Sequence, residues 1–243
     1  YVDHPANRTS NNNMSMFERM FQYAGVPHTI LTVQHRMHPA IAEFPSNQYY
    51  HGALTTHSSV PTDVPEGFPF PSKDEPVAFV NVARNAYESQ NQAGSFYNVA
   101  EAREVATIVW DLQRYGCHAE GDIGIMTPYS GQIRLIKKIL QQWNLRCAWV
   151  QSVDMTQGSE NEIIIYSLVR NNRDGGLGFV DDYRRLNVAM TRARKGLVVV
   201  GNFDTLVKKD RLNTWNPLMA YFKSRQWIMG DDLAFESWSD VDK

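Results

Sequence analysis

The sequence has 243 residues, of which 43% are hydrophobic and 21% are charged. This length and composition predict one large globular domain or two small ones, and they exclude disorder over most of the chain. The formal net charge of -2 excludes a protein that coats nucleic acid through gross positive charge, so any nucleic-acid site must be a local patch.

Helices are predicted where apolar residues recur at helical spacing, and strands where β-branched or apolar residues form short runs. Residues 54–76 contain five of the eleven prolines and predict an irregular surface crossing. In chain order, the predicted elements are a helix over 16–24, a strand over 29–33, a helix beginning at 38, a strand over 77–82, a helix over 98–112, a strand over 123–126, a helix over 132–143, strands over 148–153 and 163–169, a helix over 183–195, a strand over 197–200 and a helix over 218–225.

Strand and helix alternate along most of the chain, and the runs at 163–169 and 197–200 are almost continuously apolar. Such runs are typical of strands covered on both faces. The alternation predicts an α/β fold with a doubly wound, mostly parallel β-sheet and helices on both faces. We assign residues 14–225 to this domain, residues 1–13 to a polar tail and residues 226–243 to an acidic C-terminal tail.

The cysteines, Cys117 and Cys147, are far apart and lack metal-ligand spacing, which favours a reducing intracellular compartment, cytoplasmic or nuclear. No apolar run approaches the ~20 residues of a membrane span, and no signal peptide opens the chain. Because the chain begins at Tyr1 without an initiator Met, we expect it to be a fragment of a larger protein.

A polar cluster, Gln34–Pro39, follows the first predicted strand and precedes a helix. Ligands of open parallel sheets bind beyond the carboxyl ends of the strands, so Arg36 is expected at the ligand-binding edge. Its planar guanidinium group suits phosphate oxygens, although it could instead cap a helix or pair with a surface carboxylate. His35 and His38 could be interpreted as a metal pair, but the absence of a third ligand nearby argues against a metal site.

A second polar cluster, Ser152–Glu160, connects two predicted strands. Gly158 permits a tight turn or a close backbone approach. Ser152 and Thr156 offer hydrogen-bonding groups of the kind that hold a nucleic-acid backbone, and Glu160 can accept from ribose hydroxyls. The alternative is a plain polar turn between strands.

A third cluster, Arg184–Arg194, lies on the helix predicted over 183–195. Arg185 and Arg192 are seven residues apart, which places them about 20° from eclipsed, so both are predicted to lie on one helix face. The apolar stripe that would pack this helix on the sheet consists of Leu186, Met190 and Ala193. The alternative is a solvated basic helix paired with the acidic residues that precede it.

The sequence contains no G-x-x-x-x-G-K-[ST] phosphate loop. The glycine-rich stretch at 174–178 has no Lys, and no paired acidic residues for Mg²⁺ follow a buried strand. The chain therefore offers arginines for a triphosphate but no loop to hold it. A G-x-G-x-x-G after a strand is also missing, which argues against an NAD-dependent metabolic enzyme.

Three segments resemble motifs IV, V and VI of superfamily 1B helicases, in particular the regulator-of-nonsense-transcripts and senataxin group. These segments are QHRMHP at 34–39, SVDMTQGSENEIII at 152–165 and RRLNVAMTRAR at 184–194. Further matches are FPSNQYYHGAL at 44–54, SFYNVAEA at 95–102, IGIMTPYSGQ at 123–132 and GFVDDYRRLN at 178–187. The resemblance implies that residues 14–225 form the second RecA-like domain of such a motor.

In these motors ATP with Mg²⁺ lies between two RecA-like domains, and the first domain holds most of the phosphates and the metal. By resemblance, Arg36 and Arg192 reach the γ-phosphate, and Arg192 acts as an arginine finger. Further nucleotide contacts are implied for Gln34, His35, Gly158, Glu160 and Arg185. The group usually has Tyr at the position of His35, and an imidazole stacks more weakly and changes charge near neutral pH.

The resemblance also implies 5′-to-3′ movement on single-stranded RNA or DNA, held through its backbone and not through its sequence. The implied contact residues are Asn98, Thr127, Pro128, Ser152 and Thr156, and for the Thr127-Pro128 pair a strand-ending turn is the alternative. Implied partners are the first RecA-like domain, the nucleic acid and protein regulators.

A rival hypothesis is a catalytically inactive, helicase-like module that holds RNA or a partner protein. It would be favoured if no phosphate loop and no paired acidic motif preceded Tyr1 in the parent protein. The choice between RNA and DNA stays open, because no residue can be identified as a reader of the 2′-hydroxyl.

Overall fold

The computed structural model describes residues 16, 20, 26–82, 85–156 and 158–230. The chain divides into two compact units, residues 1–32 and residues 33–243. The predicted tail over 1–13 and most of the predicted helix over 16–24 lie outside the described residues.

The second unit alternates strands and helices, as the apolar patterning predicts. Its helices are α1 (Pro39–Tyr49), α2 (Val99–Arg114), α3 (Ser130–Gln142), α4 (Tyr183–Met190), α5 (Phe203–Lys208) and α6 (Asn216–Ser224). Its strands are β1 (Val33–Gln34), β2 (Thr55–Thr56), β3 (Val77–Asn81), β4 (Ser89–Gln90), β5 (Phe96–Tyr97), β6 (Ile123–Met126), β7 (Trp149–Gln151), β8 (Asn161–Ser167), β9 (Ala193–Gly201) and β10 (Ile228–Met229). No helix in the described part of the chain combines the length and the apolar character that crossing a membrane requires.

Within the described residues, six strands form one sheet in the order β10-β3-β9-β8-β6-β7. Each neighbouring pair in this sheet is parallel. The pairs β1–β2 and β4–β5 stand apart from it, the first parallel and the second antiparallel. The prediction of a doubly wound, mostly parallel α/β sheet is confirmed.

Each face of the sheet carries its own apolar core. On one face, Ile41 of α1, Leu186 of α4 and Phe222 of α6 pack together with apolar side chains of the sheet. On the other face, Val105 of α2 and Ile136 of α3 do the same. Full burial of such side chains contributes about 1.5–3 kcal/mol each. The prediction of helices on both faces is therefore also confirmed.

The predicted strand over 29–33 is absent from the structure. Residues 26–32 are exposed and form neither helix nor strand, and only Val33–Gln34 are extended as a strand, pairing with Thr55–Thr56. A β-branched run favours a half-buried, pleated surface but does not by itself supply a strand to pair with.

The predicted helix over 183–195 is too long, because α4 ends at Met190. The residues from Ala193 onward form the first part of β9 and pair with β8, beginning at Asn161. Pairing with a central strand outweighs the helical preference of a few residues, since helix propensities differ by only about 0.7 kcal/mol per residue.

The acidic tail predicted from residue 226 begins too early. Trp227 is buried, and its indole N–H donates to the Glu75 carboxylate at 2.9 Å. Ile228–Met229 then pair with β3 as the outer strand β10. A two-residue strand is too short to have a recognisable period, so only the tertiary contacts identify it.

A buried polar network fixes the backbone immediately after β8. The carboxylate of Glu101, fully buried in α2, accepts hydrogen bonds from the Ser167 hydroxyl (2.8 Å) and from the Val169 N–H (2.7 Å). Burial raises the pKa of Glu101 to about 8. Val169 adopts a φ of +73°, which is strained for a β-branched residue. The hydrogen bond that the Val169 N–H donates to Glu101 therefore holds a conformation that this sequence would otherwise avoid.

Candidate functional site

The side-chain amide of Gln34 organises the turn after β1. Its oxygen accepts from the N–H groups of Arg36 (2.8 Å) and Met37 (2.7 Å), and its nitrogen donates to the Met37 carbonyl and the Thr56 hydroxyl, both at 2.7 Å. An amide side chain has two donor hydrogens and two acceptor positions, so Gln34 is fully occupied. Gln34 therefore holds the turn that carries Arg36, and its predicted nucleotide contact stays a prediction.

The Arg36 side chain reaches from this turn to the two central strands. Its Nε forms an ion pair with the Glu160 carboxylate, which precedes β8. Its Nη1 donates to the Thr191 carbonyl at 3.0 Å, in the turn that precedes β9. The guanidinium group is thus held beside both strands while its side chain stays partly exposed.

The guanidinium group of Arg192 lies beside that of Arg36. Its Nε donates to the Val188 carbonyl (3.1 Å), its Nη1 to the Ser159 carbonyl (3.4 Å) and its Nη2 to the Thr191 hydroxyl (3.2 Å). Burial lowers the pKa of Arg192, and the positive charge of Arg36 lowers it further. Because Arg36 and Arg192 both donate to Thr191, the two predicted catalytic arginines converge.

Arg36, Arg192 and Glu160 form an arginine cluster at the amino ends of the central strands. Glu160 immediately precedes β8 and Arg192 immediately precedes β9, and the first residues of these strands, Asn161 and Ala193, are paired. The expectation that Arg36 lies at the carboxyl edge is wrong. Arg36 and Arg192 nevertheless lie close together, because the segments that contain them both reach the amino edge of the sheet.

Arg185 does not share a helix face with Arg192, because α4 ends before Arg192. The guanidinium of Arg185 instead makes two hydrogen bonds to the Asp154 carboxylate, at 3.0 and 3.1 Å, and this pairing raises its pKa. The same group lies over the Phe179 ring, 5.3 Å from its centre. The predicted nucleotide contact of Arg185 stays a prediction.

The histidines of the first motif differ in exposure. His35 is exposed, and its ring lies 4.3 Å from that of His57. His38 is buried, caps α1 by accepting from the Ala40 N–H at 3.2 Å, and has its pKa lowered by burial. The described residues contain no group of three His, Cys, Asp or Glu side chains suited to a metal ion.

The segment from Ser152 to Glu160 links the two edges of the sheet, and we call it the connecting segment. It leaves the carboxyl end of β7 and reaches the amino end of β8. Val153 anchors it in the core that contains α1 and α4, and Thr156 donates to the Val153 carbonyl at 2.7 Å. Gly158 has a φ of +84°, a conformation that favours glycine.

Three of the predicted strand-binding side chains are buried: Asn98, Thr127 and Thr156. Asn98 caps α2 by accepting from the Glu101 N–H at 3.1 Å, and it donates to the Ala86 carbonyl at 2.8 Å. The prediction of direct strand contacts by these three side chains is corrected, because groups shielded by protein cannot touch a phosphate in this structure.

The other two predicted strand-binding residues, Pro128 and Ser152, are partly exposed. They follow β6 and β7, whose last residues, Met126 and Gln151, are paired. The two residues therefore lie side by side at the carboxyl edge, opposite the arginine cluster. Their contact with a strand stays a prediction.

Sequence reasoning did not single out Phe179 or Asp154. Phe179 is 59% exposed, and Asp154 binds Arg185. The available signals were an aromatic residue directly after Gly178, and a carboxylate two residues after Ser152. Neither signal shows that Arg185 contacts both residues. Those contacts depend on how α4, which carries Arg185, packs against the rest of the domain.

The sequence matches the AAA domain family AAA_12 over residues 12–204. The match covers well over half of the chain, and the chain therefore belongs to this family.

Three relatives illustrate the similarity. Regulator of nonsense transcripts 1 of Dictyostelium discoideum is 40% identical over 229 residues, covering 91% of this chain and 17% of that protein. ATP-dependent helicase upf1 of Schizosaccharomyces pombe is 41% identical over 232 residues, covering 91% and 24%. ATP-dependent helicase NAM7 of Saccharomyces cerevisiae is 38% identical over 228 residues, covering 90% and 23%. The predicted resemblance to the regulator-of-nonsense-transcripts group is confirmed.

The chain spans only about a fifth of the length of these relatives. Among solved structures, the C-terminal domain of a possible DNA helicase from Lactobacillus matches with 14% identity and a TM-score of 0.38, covering 70% of this chain and 88% of that one.

Proposed function

We propose that this chain is the C-terminal motor domain of an ATP-dependent 5′-to-3′ helicase that moves on single-stranded RNA or DNA. ATP would lie in a cleft against a first RecA-like domain of the same protein, and the isolated chain would not hydrolyse it. The observation that carries the proposal is the convergence of Arg36 and Arg192 at one edge of the sheet. The helicase names of the relatives support it.

The arginine cluster fits a triphosphate tail. The like charges of Arg36 and Arg192, held close together, favour the binding of an anion between them. In this structure the Glu160 carboxylate supplies part of the negative charge beside them. Among the described residues, protein oxygens accept from three of the five N–H donors of Arg192, and the other two donors would bind phosphate oxygens. As the family resemblance implies, Mg²⁺ would be held mainly by the first domain.

The protein contacts of Arg192 orient its guanidinium before ATP arrives. Donors oriented in advance stabilise charge that develops in the transition state without a reorganisation cost. Arg192 would act as the arginine finger, and Arg36 would bind the γ-phosphate beside it. Glu160 would exchange its ion pair with Arg36 for a contact with the nucleotide, and Gly158 would allow the backbone to approach closely.

The connecting segment offers a mechanical link between ATP and the strand. It carries Glu160 at the amino edge and Ser152 at the carboxyl edge, with Val153 packed in the core between them. Closing of the cleft on ATP would pull on Glu160 and be transmitted along the segment to Ser152. Loss of the γ-phosphate would reopen the cleft and shift the domain along the strand.

Stimulation of ATP turnover by single strands tests the proposed function. The full-length protein is expected to hydrolyse ATP faster with single-stranded RNA or DNA of matched sequence, and Arg36→Ala is expected to abolish that turnover while binding of the strand without nucleotide persists. Steady-state ATPase assays and fluorescence anisotropy measure the two properties. Strand binding by a wild-type protein that hydrolyses no ATP would instead establish the inactive binding module.

The proposed nucleotide contact of His35 predicts a gain of function. His35→Tyr places a larger aromatic ring at the position of the proposed nucleotide contact. A pair of aromatic rings, here the tyrosine and the base of the nucleotide, contributes about 0.5–1.5 kcal/mol to binding beyond its buried area. We expect KM for ATP to fall about 2- to 10-fold in the full-length protein, with little change in kcat. The control is His118→Tyr, a histidine bound to the Glu66 carbonyl. An equal change in both variants would contradict the contact.

A further inference from the structure

Phe179 presents an aromatic ring to solvent from a rigid support. It is 59% exposed, although it lies in a short 3-10 turn, Gly178–Asp181, beside the buried Tyr129. Its backbone N–H donates to the Tyr129 hydroxyl at 3.3 Å, and the two rings lie 5.8 Å apart. Gly178 has a φ of +59°, and a Cβ at that position would approach the Tyr129 hydroxyl to 2.9 Å. Glycine therefore keeps the turn close to Tyr129.

A cation is held over the same ring. The Arg185 guanidinium lies 5.3 Å from the centre of Phe179, and its two hydrogen bonds to Asp154 orient it there. Phe179 nevertheless stays more than half exposed. Arg185 thus restrains the ring and supplies positive charge next to it without covering it.

This aromatic platform, Phe179 with Arg185, lies at the carboxyl edge of the sheet. Tyr129 follows Pro128 directly, and Asp154 is two residues from Ser152. Pro128 and Ser152 are the partly exposed residues for which strand contact is predicted. Tyr129, which packs beside the Phe179 ring, is therefore next to one predicted strand-binding residue, and Asp154, which binds Arg185, is close in sequence to the other.

We propose that Phe179 stacks on a nucleobase of the bound single strand, with Arg185 as a cationic flank. This inference rests on the proposed function and names a base-contacting residue within it. A flat, rigid aromatic surface beside a cation is the arrangement that proteins use to hold single strands without sequence preference. It also suits a chain with a negative net charge, because stacking needs no further cations.

The test compares Phe179→Ala and Phe179→Trp in the full-length protein. Kd is measured by fluorescence anisotropy for a labelled oligouridylate and for an abasic oligonucleotide of the same length. Removal of one stacking ring costs about 1–3 kcal/mol, so Phe179→Ala is expected to weaken oligouridylate binding about 5- to 100-fold. Abasic binding should not change, and Phe179→Trp should retain wild-type affinity for both. The matched control is Tyr115→Ala, an aromatic side chain that is 61% exposed at the end of α2.

Two outcomes overturn the inference. Unchanged oligouridylate binding by Phe179→Ala would show that the ring serves something else, such as a protein partner, while the proposed function stands. Equal weakening for the oligouridylate and the abasic strand would show that the variant disturbs the edge as a whole. A wild-type protein that binds neither oligonucleotide and shows no strand-stimulated ATP turnover would overturn the proposed function itself.

Discussion

Arg192→Ala is expected to lower ATP turnover of the full-length protein by about 10³–10⁵-fold, the range that loss of an arginine finger produces. The effect should fall mainly on kcat, because the proposed contact stabilises charge that develops on the transferring phosphoryl group. Arg192 is suited to this role by its three oriented protein contacts and by the neighbouring charge of Arg36.

Two further variants make the Arg192 result interpretable. Arg192→Lys keeps the charge but loses the planar fork of donors, so turnover should stay far below that of the wild type. Arg134→Ala removes an exposed arginine on α3, remote in sequence from the cluster, and should leave kcat unchanged. Thermal unfolding of each variant separates catalysis from folding. Near-normal turnover by a folded Arg192→Ala protein would reject the finger role.

Glu101→Gln is expected to remove a pH-dependent part of the stability of the domain. The pKa of Glu101 is about 8 in the folded state and 4.5 in its unperturbed state, because burial disfavours the carboxylate. The folded state therefore holds the Glu101 proton more tightly than the unfolded state does. The stability that this proton contributes is fully present below pH 4.5 and is lost as the pH rises to about 8. The loss is on the order of a few kcal/mol, and a neutral amide does not undergo it.

Urea unfolding between pH 5 and pH 9 measures this difference. The free energy of unfolding of Glu101→Gln, relative to that of the wild type, should increase with pH across this range. Glu101→Ala leaves the Val169 N–H and the Ser167 hydroxyl without an acceptor, so it should be about 3 kcal/mol less stable than the wild type at pH 5. Glu120→Gln, at an exposed carboxylate, is the control. Parallel pH profiles for Glu101→Gln and the wild type would contradict the prediction.

Local patterns in the sequence predicted most of the elements and several members of the site. The apolar runs predicted β8 and β9, and His38-Pro39 predicted the start of α1, because these signals depend on residues close together in the chain. Arg36 and Arg192 were predicted from motif resemblance, and the structure brings them together. The helical spacing was wrong for Arg192, which lies in a turn after α4 and not on the predicted helix.

Several buried side chains were assigned to the wrong role for one physical reason. A polar residue at the end of a strand looks the same in sequence whether it faces solvent or lies under a neighbouring loop. Asn98 and Thr156 are satisfied inside the protein. Burial depends on residues far away in the chain, which no local pattern contains.

The sequence alone determined the class of fold, the order of its elements and the arginines on which the proposed function depends, because hydrophobic periodicity and motif spacing are local properties. Only the tertiary structure decided that the arginine cluster lies at the amino edge of the sheet and the platform of Phe179 at the carboxyl edge. Strand order sets these positions, and strand order follows from long-range packing. The connecting segment joins the two edges because its end strands, β7 and β8, lie in the same parallel sheet.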